Sequence, residues 1–167
     1  MPDTTLPALQ SFGCFACGPS NPVGLRMTFA EAGPERLRSE FEIGTDYAGI
    51  GDIVHGGIAA TVLDEVMAWC LYRYRHGPHV TGSMEVRYRG TLRAGVPLTV
   101  EGWIVEDRGR RLRMAAGLWE TNSPSTTLAE ATGLYLRTPE ATLDALPDAQ
   151  KVELEAVFAE FRRRDGL

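Results

Sequence analysis

Residues 58–74, IAATVLDEVMAWCLYRY, decide how this chain folds. Ile58, Ala59, Val62, Leu63, Val66, Met67, Cys70 and Tyr74 recur at spacings of three and four, which gathers them into one broad stripe of a helix. At about 100° per residue, Thr61, Asp64, Glu65, Ala68 and Tyr72 share the narrower remaining face. A helix with so little polar surface requires other structure around most of its circumference. His76-Gly77-Pro78 ends it, since proline lacks the helical N–H and pushes the residue before it out of helical geometry.

On either side of this helix the period changes to two. Leu37, Ser39, Phe41 and Ile43 alternate with Arg38, Glu40 and Glu42, which predicts a half-buried strand over 37–43. Leu25–Phe29 reads as the start of an earlier short strand. After the helix, strands are expected near 80–90, 96–106, 110–120 and 127–137, separated by the turns LRAG, EDRG and TNSPS. Such tight connections make neighbours antiparallel. A last amphipathic helix over roughly 148–164 ends in Arg162-Arg163-Arg164, whose cations complement its C-terminal dipole. The fold class is therefore α+β, one long helix covered by a largely antiparallel sheet. Residues 1–13 are expected to be a flexible lead-in, 14–138 the domain and 139–167 a C-terminal helical extension; no repeat or low-complexity segment interrupts them.

Bulk properties narrow the function classes. A chain of 167 residues with 44% hydrophobic and 23% charged residues suits one domain with a sizeable core. A formal net charge of −5 argues against general affinity for nucleic acid or anionic membrane. No apolar run approaches the roughly 18 residues that span a bilayer, and MPDTTLPALQ has neither the basic start nor the apolar core of a signal peptide. Cys14, Cys17 and Cys70 are an odd number, which fits a reducing interior better than a disulfide framework. A cytoplasmic location is expected.

The densest chemistry lies in HGGIAATVLDE, residues 55–65. Gly56 and Gly57 stand where loop becomes helix, so backbone N–H groups there are unpaired and uncrowded. A carbonyl gaining negative charge would be stabilised by them. Two turns on, Asp64 and Glu65 bring carboxylates onto a helix headed for the interior, where an acid must be paired or used. Asp64 can activate water or attack a carbonyl itself. Each part also has a plainer reading. The Gly-Gly pair can be only a turn, the acids a solvated edge, and His55 a residue that packs at the helix start rather than a catalytic one.

The combination carries more than its parts. Together with CxxCGxxNPxGL at residues 14–25, it resembles the hotdog-fold acyl-CoA thioesterases of the phenylacetate-pathway (PaaI-like) type. In that family a His-Gly-Gly loop leads into the long central helix, and an aspartate nine positions after the histidine is catalytic; here that position is Asp64. The resemblance covers roughly residues 14–138 and implies a curved antiparallel sheet wrapped round one helix. It implies hydrolysis of an acyl-CoA thioester by a homodimer or dimer of dimers, with sites at the subunit interface. No cofactor is expected, because CoA is part of the substrate.

Residue by residue, the resemblance assigns Gly56 the backbone N–H that polarises the thioester carbonyl. Asp64 becomes the carboxylate that attacks or directs water, the two coming from opposite subunits. His55 and Glu65 complete the candidate catalytic set. Thr81 falls where related enzymes use a hydroxyl to orient water or nucleophile. Gly57 and the arginines Arg89 and Arg93 border the expected CoA channel. Arg108, Arg110 and Arg111 sit on a turn from which they can meet CoA phosphates or simply face solvent. Two departures stand out. Some relatives carry an asparagine six positions before the histidine, where this chain has Gly49, leaving Asp46, Asp52 or Glu65 to assist. Strand alternation also groups Thr81 with Ser83, Glu85 and Arg87, opposite Met84, Val86 and Tyr88, so Thr81 reaches Asp64 only through a bulge or an interface.

The cysteines fit no sequence pattern for a metal or electrons. A structural zinc wants four ligands, and the only second pair, His76-x-x-His79, has the wrong spacing. A redox CxxC wants a βαβ unit that the chain does not show. Gly18, Pro19, Asn21, Pro22 and Gly24 shape a compact loop in which the cysteines act as small buried hydrophobes, so no metal is expected. The competing functional reading is a hotdog protein that binds acyl-CoA as a sensor without cleaving it; a dehydratase is disfavoured, since its acid–histidine pairing is not spelled out.

Overall fold

A computed structural model describes residues 5–167. The long helix α1 spans Gly56–Arg75, and six strands surround it: β1 (Ala30–Gly33), β2 (Arg36–Glu42), β3 (His79–Tyr88), β4 (Pro97–Arg108), β5 (Arg111–Glu120) and β6 (Thr127–Arg137). They form one antiparallel sheet in the order β1-β2-β4-β5-β6-β3. Helix α2 covers Asp148–Arg164, and short 3-10 turns occupy Thr45–Tyr47 and Glu140–Ala145. Both expected helices and five of the six expected strands are present, with ends shifted by a residue or two.

The stripe of α1 does what its spacing predicts. Ala59, Val62, Leu63, Val66, Met67 and Cys70 are buried against Leu98, Val100, Leu112, Met114, Leu118, Ala129 and Ala131 of the sheet. Thr61, Asp64, Glu65, Ala68 and Tyr72 are only half-buried. Trp69 and Leu71 are buried as well, because the chain's two ends pack against the helix. The Phe29 ring stacks on Trp69 at 5.2 Å, and Phe158 of α2 meets Tyr72 edge-on at 5.6 Å.

Two expectations are corrected here. Leu25–Phe29 is not a strand, although Met27 and Phe29 are buried. Its backbone bonds go to the preceding loop, Leu25 N–H to Phe15 O at 2.8 Å and Met27 N–H to Ala16 O at 2.9 Å, so the first strand begins only at Ala30. The described part of the lead-in, residues 5–13, packs on the domain. Leu6 and Leu9 are buried, and the Gln10 and Ser11 N–H groups donate to the Glu153 carboxylate at 2.6 and 2.8 Å. Residues 1–4 of that lead-in lie outside the described residues. No helix among the described residues is long and apolar enough to cross a membrane. Strand β3 lies at the sheet's edge.

Candidate active site

The start of α1 is fixed by a histidine. His55 N–H donates to Tyr47 O at 2.9 Å, and its ring Nδ1 accepts the Gly57 N–H at 3.0 Å, capping the helix. His55 thus performs the packing role, and Gly57 has its N–H occupied. The Gly56 N–H has no hydrogen-bond partner among the described residues. Tyr88 at the end of β3 reaches over it and donates its hydroxyl to Gly56 O at 2.8 Å.

Asp64 sits two turns further on, and one of its oxygens is held from two sides. Thr81 donates its hydroxyl to Asp64 Oδ1 at 2.9 Å, and Tyr135 donates to the same atom at 2.6 Å. Asp64 Oδ2 has no partner among the described residues. Thr81 arrives there through a bulge. The β3–β6 register pairs Thr81 with Tyr135 and then Ser83 with Leu134, so Gly82 is the extra residue. The shift turns Thr81 to the same face as Met84, Val86 and Tyr88, which oppose Gly133, Ala131 and Ala129. Without it, alternation would have pointed Thr81 away from the helix.

Tyr135 was not among the sequence candidates. It is almost fully buried, and a Cβ at Gly133 would lie 2.7 Å from its ring, so the glycine makes room for it. Burial, and the Asp64 carboxylate beside it, push the phenol far above its ordinary range, so it remains a donor. The available signal was parity. A tyrosine on the inward face of a strand must find a partner for its hydroxyl.

The other candidates separate. Glu65 turns away from Asp64 toward the N-terminal loop, where the Trp69 Nε1–H donates to it at 3.1 Å; burial lifts its carboxyl to about 7. Arg89 pairs with Glu130 at 2.6 Å and Arg93 with Asp52 at 2.7 Å. Arg108 pairs with Glu106 at 2.8 Å; Arg110 and Arg111 are exposed beside it on the β4–β5 turn. Asp107, next to that turn, is held at 2.6 Å by Arg75, the last residue of α1. These three arginines therefore lie at the end of the helix opposite Gly56, a helix length of about 28 Å away. Gly49 lies against His55, whose Cα is 3.6 Å from where a Cβ on the glycine would stand. Asp46 is exposed in the 3-10 turn.

One antiparallel sheet curved round a central helix defines the hotdog fold. Residues 51–125 match the family model described as Thioesterase superfamily. Among solved structures, the fold is similar to that of a thioesterase superfamily protein (TM-score 0.68, 21% identity, 74% of this chain), of which the match spans only 60%. It is also similar to the Escherichia coli PaaI protein from the phenylacetic acid degradation operon (0.63, 13%, 70% of this chain and 82% of that one). A Streptococcus mutans protein bound to acetyl-CoA is similar too (0.61, 16%, 68% and 90%). No curated protein matches the chain. The chain is therefore similar to the thioesterase superfamily across α1 and strands β3 to β5, a match that includes residues 55–65 and leaves 14–25 outside it, and it has the hotdog fold.

Proposed function

We propose that this protein hydrolyses an acyl-CoA thioester, with Asp64 as nucleophile or general base. The observation that carries this reading is the state of the Asp64 carboxylate. Thr81 and Tyr135 fix Oδ1, while Oδ2, on a half-buried helix face, has no partner among the described residues. A carboxylate oriented in this way can attack the thioester carbonyl, forming an acyl anhydride and expelling CoA thiolate, or it can take a proton from an attacking water.

The carbonyl oxygen then needs a donor, and the Gly56 N–H is free to give one. In one chain Gly56 and Asp64 are eight residues apart on the same helix, about 12 Å along its axis, too far to act on one thioester. The site is therefore completed by a second copy, with Asp64 working opposite the partner subunit's Gly56. The long exposed edge of β3, carrying Val80 at 50% exposure, is the surface on which two copies would pair. The acetyl-CoA bound by one structural neighbour supports a CoA-type ligand.

A CoA-release assay across short, medium, long and aryl acyl-CoAs tests the reading, with the protein's own thiols subtracted. Release from at least one of them is expected. Calorimetric binding with no turnover of any substrate would instead identify an acyl-CoA sensor. Within the hydrolase reading, Thr81→Ala and Tyr135→Phe should each lower kcat by roughly ten- to a hundredfold with KM within about threefold, since both misplace Asp64 rather than remove it. Tyr135→Phe should also lower urea stability by about 1–2 kcal/mol, the cost of a lost hydrogen bond to a buried acceptor.

A further inference from the structure

Glu65 leaves α1 about 100° round from Asp64 and meets the loop that holds the two N-terminal cysteines. Cys14 Sγ stands 3.7 Å from Glu65 Oε1, and one donor atom from each of Cys14, Cys17 and Glu65 lies within 4.8 Å of the others. Cys17 is buried, while Cys14 and Glu65 are half-buried. A tetrahedral ion held at about 2.3 Å by sulfur and about 2.0 Å by a carboxylate oxygen separates those donors by roughly 3.5 Å. The Cys14 thiol donates to Glu65 Oε1 across 3.7 Å, so the two donors already stand within a few tenths of an ångström of the spacing of two ligands on one ion.

The loop that carries the two cysteines is tightly wound. Cys17 N–H donates to Cys14 Sγ at 3.4 Å, and Gly18 N–H closes on Cys14 O at 2.9 Å. The turn is so tight that a Cβ on Gly18 would lie 2.6 Å from that same oxygen. On the helix side, the Trp69 indole N–H orients the Glu65 carboxylate, the arrangement by which outer partners fix a ligating acid. Cys70 plays no part: it is fully buried elsewhere, with its thiol on Glu35 O.

We propose that Cys14, Cys17 and Glu65 bind a thiophilic divalent cation of the Zn²⁺ class, through two thiolates and one carboxylate. The thiol protons pass to solvent on binding, and a water fills the fourth position. The ion would clamp the loop at 14–25 to α1 at the residue next to Asp64. The sequence showed no second ligand pair because the third ligand lies 51 residues from Cys14 and meets it only in the fold. This inference does not rest on the hydrolase reading.

The full-length chain, reduced with a phosphine and freed of metal with chelator, is titrated with Co²⁺ and then Zn²⁺. A near-ultraviolet thiolate-to-cobalt absorption that saturates at one equivalent and is bleached by Zn²⁺ is expected. Cys14→Ser and Cys17→Ser should abolish it, Glu65→Gln should weaken Zn²⁺ binding at least about tenfold, and Cys70→Ser should behave as the natural chain. Zn²⁺ at about a thousandfold excess over Kd should raise Tm on the order of 10 °C. A reduced natural chain without the thiolate absorption overturns the proposal, as does an absorption that survives in Cys14→Ser. So does a chain that forms a Cys14–Cys17 disulfide in air and, once reduced, takes up no Co²⁺. Zn²⁺ affinity unchanged in Glu65→Gln would overturn the three-ligand site. The decisive titration uses the natural chain, so a variant that fails to fold leaves the outcome readable.

Discussion

Asp64→Asn is expected to lower kcat on a responsive acyl-CoA by about a thousandfold or more, while KM stays within about threefold. Asparagine keeps the shape of the side chain and one carbonyl oxygen, so the Thr81 and Tyr135 hydroxyls retain an acceptor in place of Oδ1. The substitution removes only the negative charge, and with it the ability to attack a carbonyl or to accept a proton from water. The folded state loses no buried cation partner, because Asp64 has no ion pair among the described residues. Tm should therefore change little, and gel filtration should give the same assembly as the natural chain. Full activity in Asp64→Asn would remove the carboxylate from the chemistry and leave the unpaired Gly56 N–H as the only part of the site still standing. In active protein, a single turnover in ¹⁸O-water separates the two routes, since label enters Asp64 only when its carboxylate has formed the anhydride.

The parts of this arrangement that the sequence discloses are those set by short-range periodicity. The three-and-four spacing of Ala59, Val62, Leu63, Val66, Met67 and Cys70 is a property of seventeen consecutive residues, and α1 follows it. Strands β4, β5 and β6 are joined by tight turns, so their pairing follows as well, whereas the LRAG turn does not make β3 a neighbour of β4: β3 crosses to the far side of β6 and pairs there. Leu25, Met27 and Phe29 alternate as a strand would. The N–H groups of Leu25 and Met27 are instead spent on the turn that carries Cys14 and Cys17, and Phe29 O accepts from Leu6, a choice that depends on packing rather than on pattern. Thr81 lies between these cases. Alternation identified the condition under which it could reach Asp64, and Gly82 meets that condition with one inserted residue. Tyr135 and Glu65 were the least legible. A single tyrosine in an apolar strand looks like core until the strand opposite it is known. The neighbours of Glu65 come from a loop that precedes the entire sheet.

Arg73→Ala is the substitution expected to cost the fold most, about 3 kcal/mol. Its side chain carries a guanidinium on α1 and yet is only 5% exposed. Its Nε–H donates to Glu31 at 2.7 Å and Nη1 to Asp165 at 2.8 Å, so one group joins β1, the central helix and the end of α2. The rings of Tyr74 and Phe161 flank it at 4.8 and 5.6 Å. Alanine would leave two acids facing each other across an unfilled space. The penalty stays at the low end for a broken buried pair because both acids keep a partner and some solvent. Glu31 retains Arg164 at 3.5 Å and Asp165 retains His76 at 2.8 Å, and their side chains are 27% and 30% exposed. For a chain of this size the loss corresponds to a fall in Tm of about 6–12 °C. Arg73→Lys should recover less than half of it, since a single ammonium cannot span both carboxylates as the fork does. Arg73 stands two and a half turns beyond Asp64, so kcat measured well below the melting transition should be unchanged. An Arg73→Ala protein that melts within about 2 °C of the natural chain would mean that β1 and α2 are held by their apolar contacts alone, with the ion network contributing nothing.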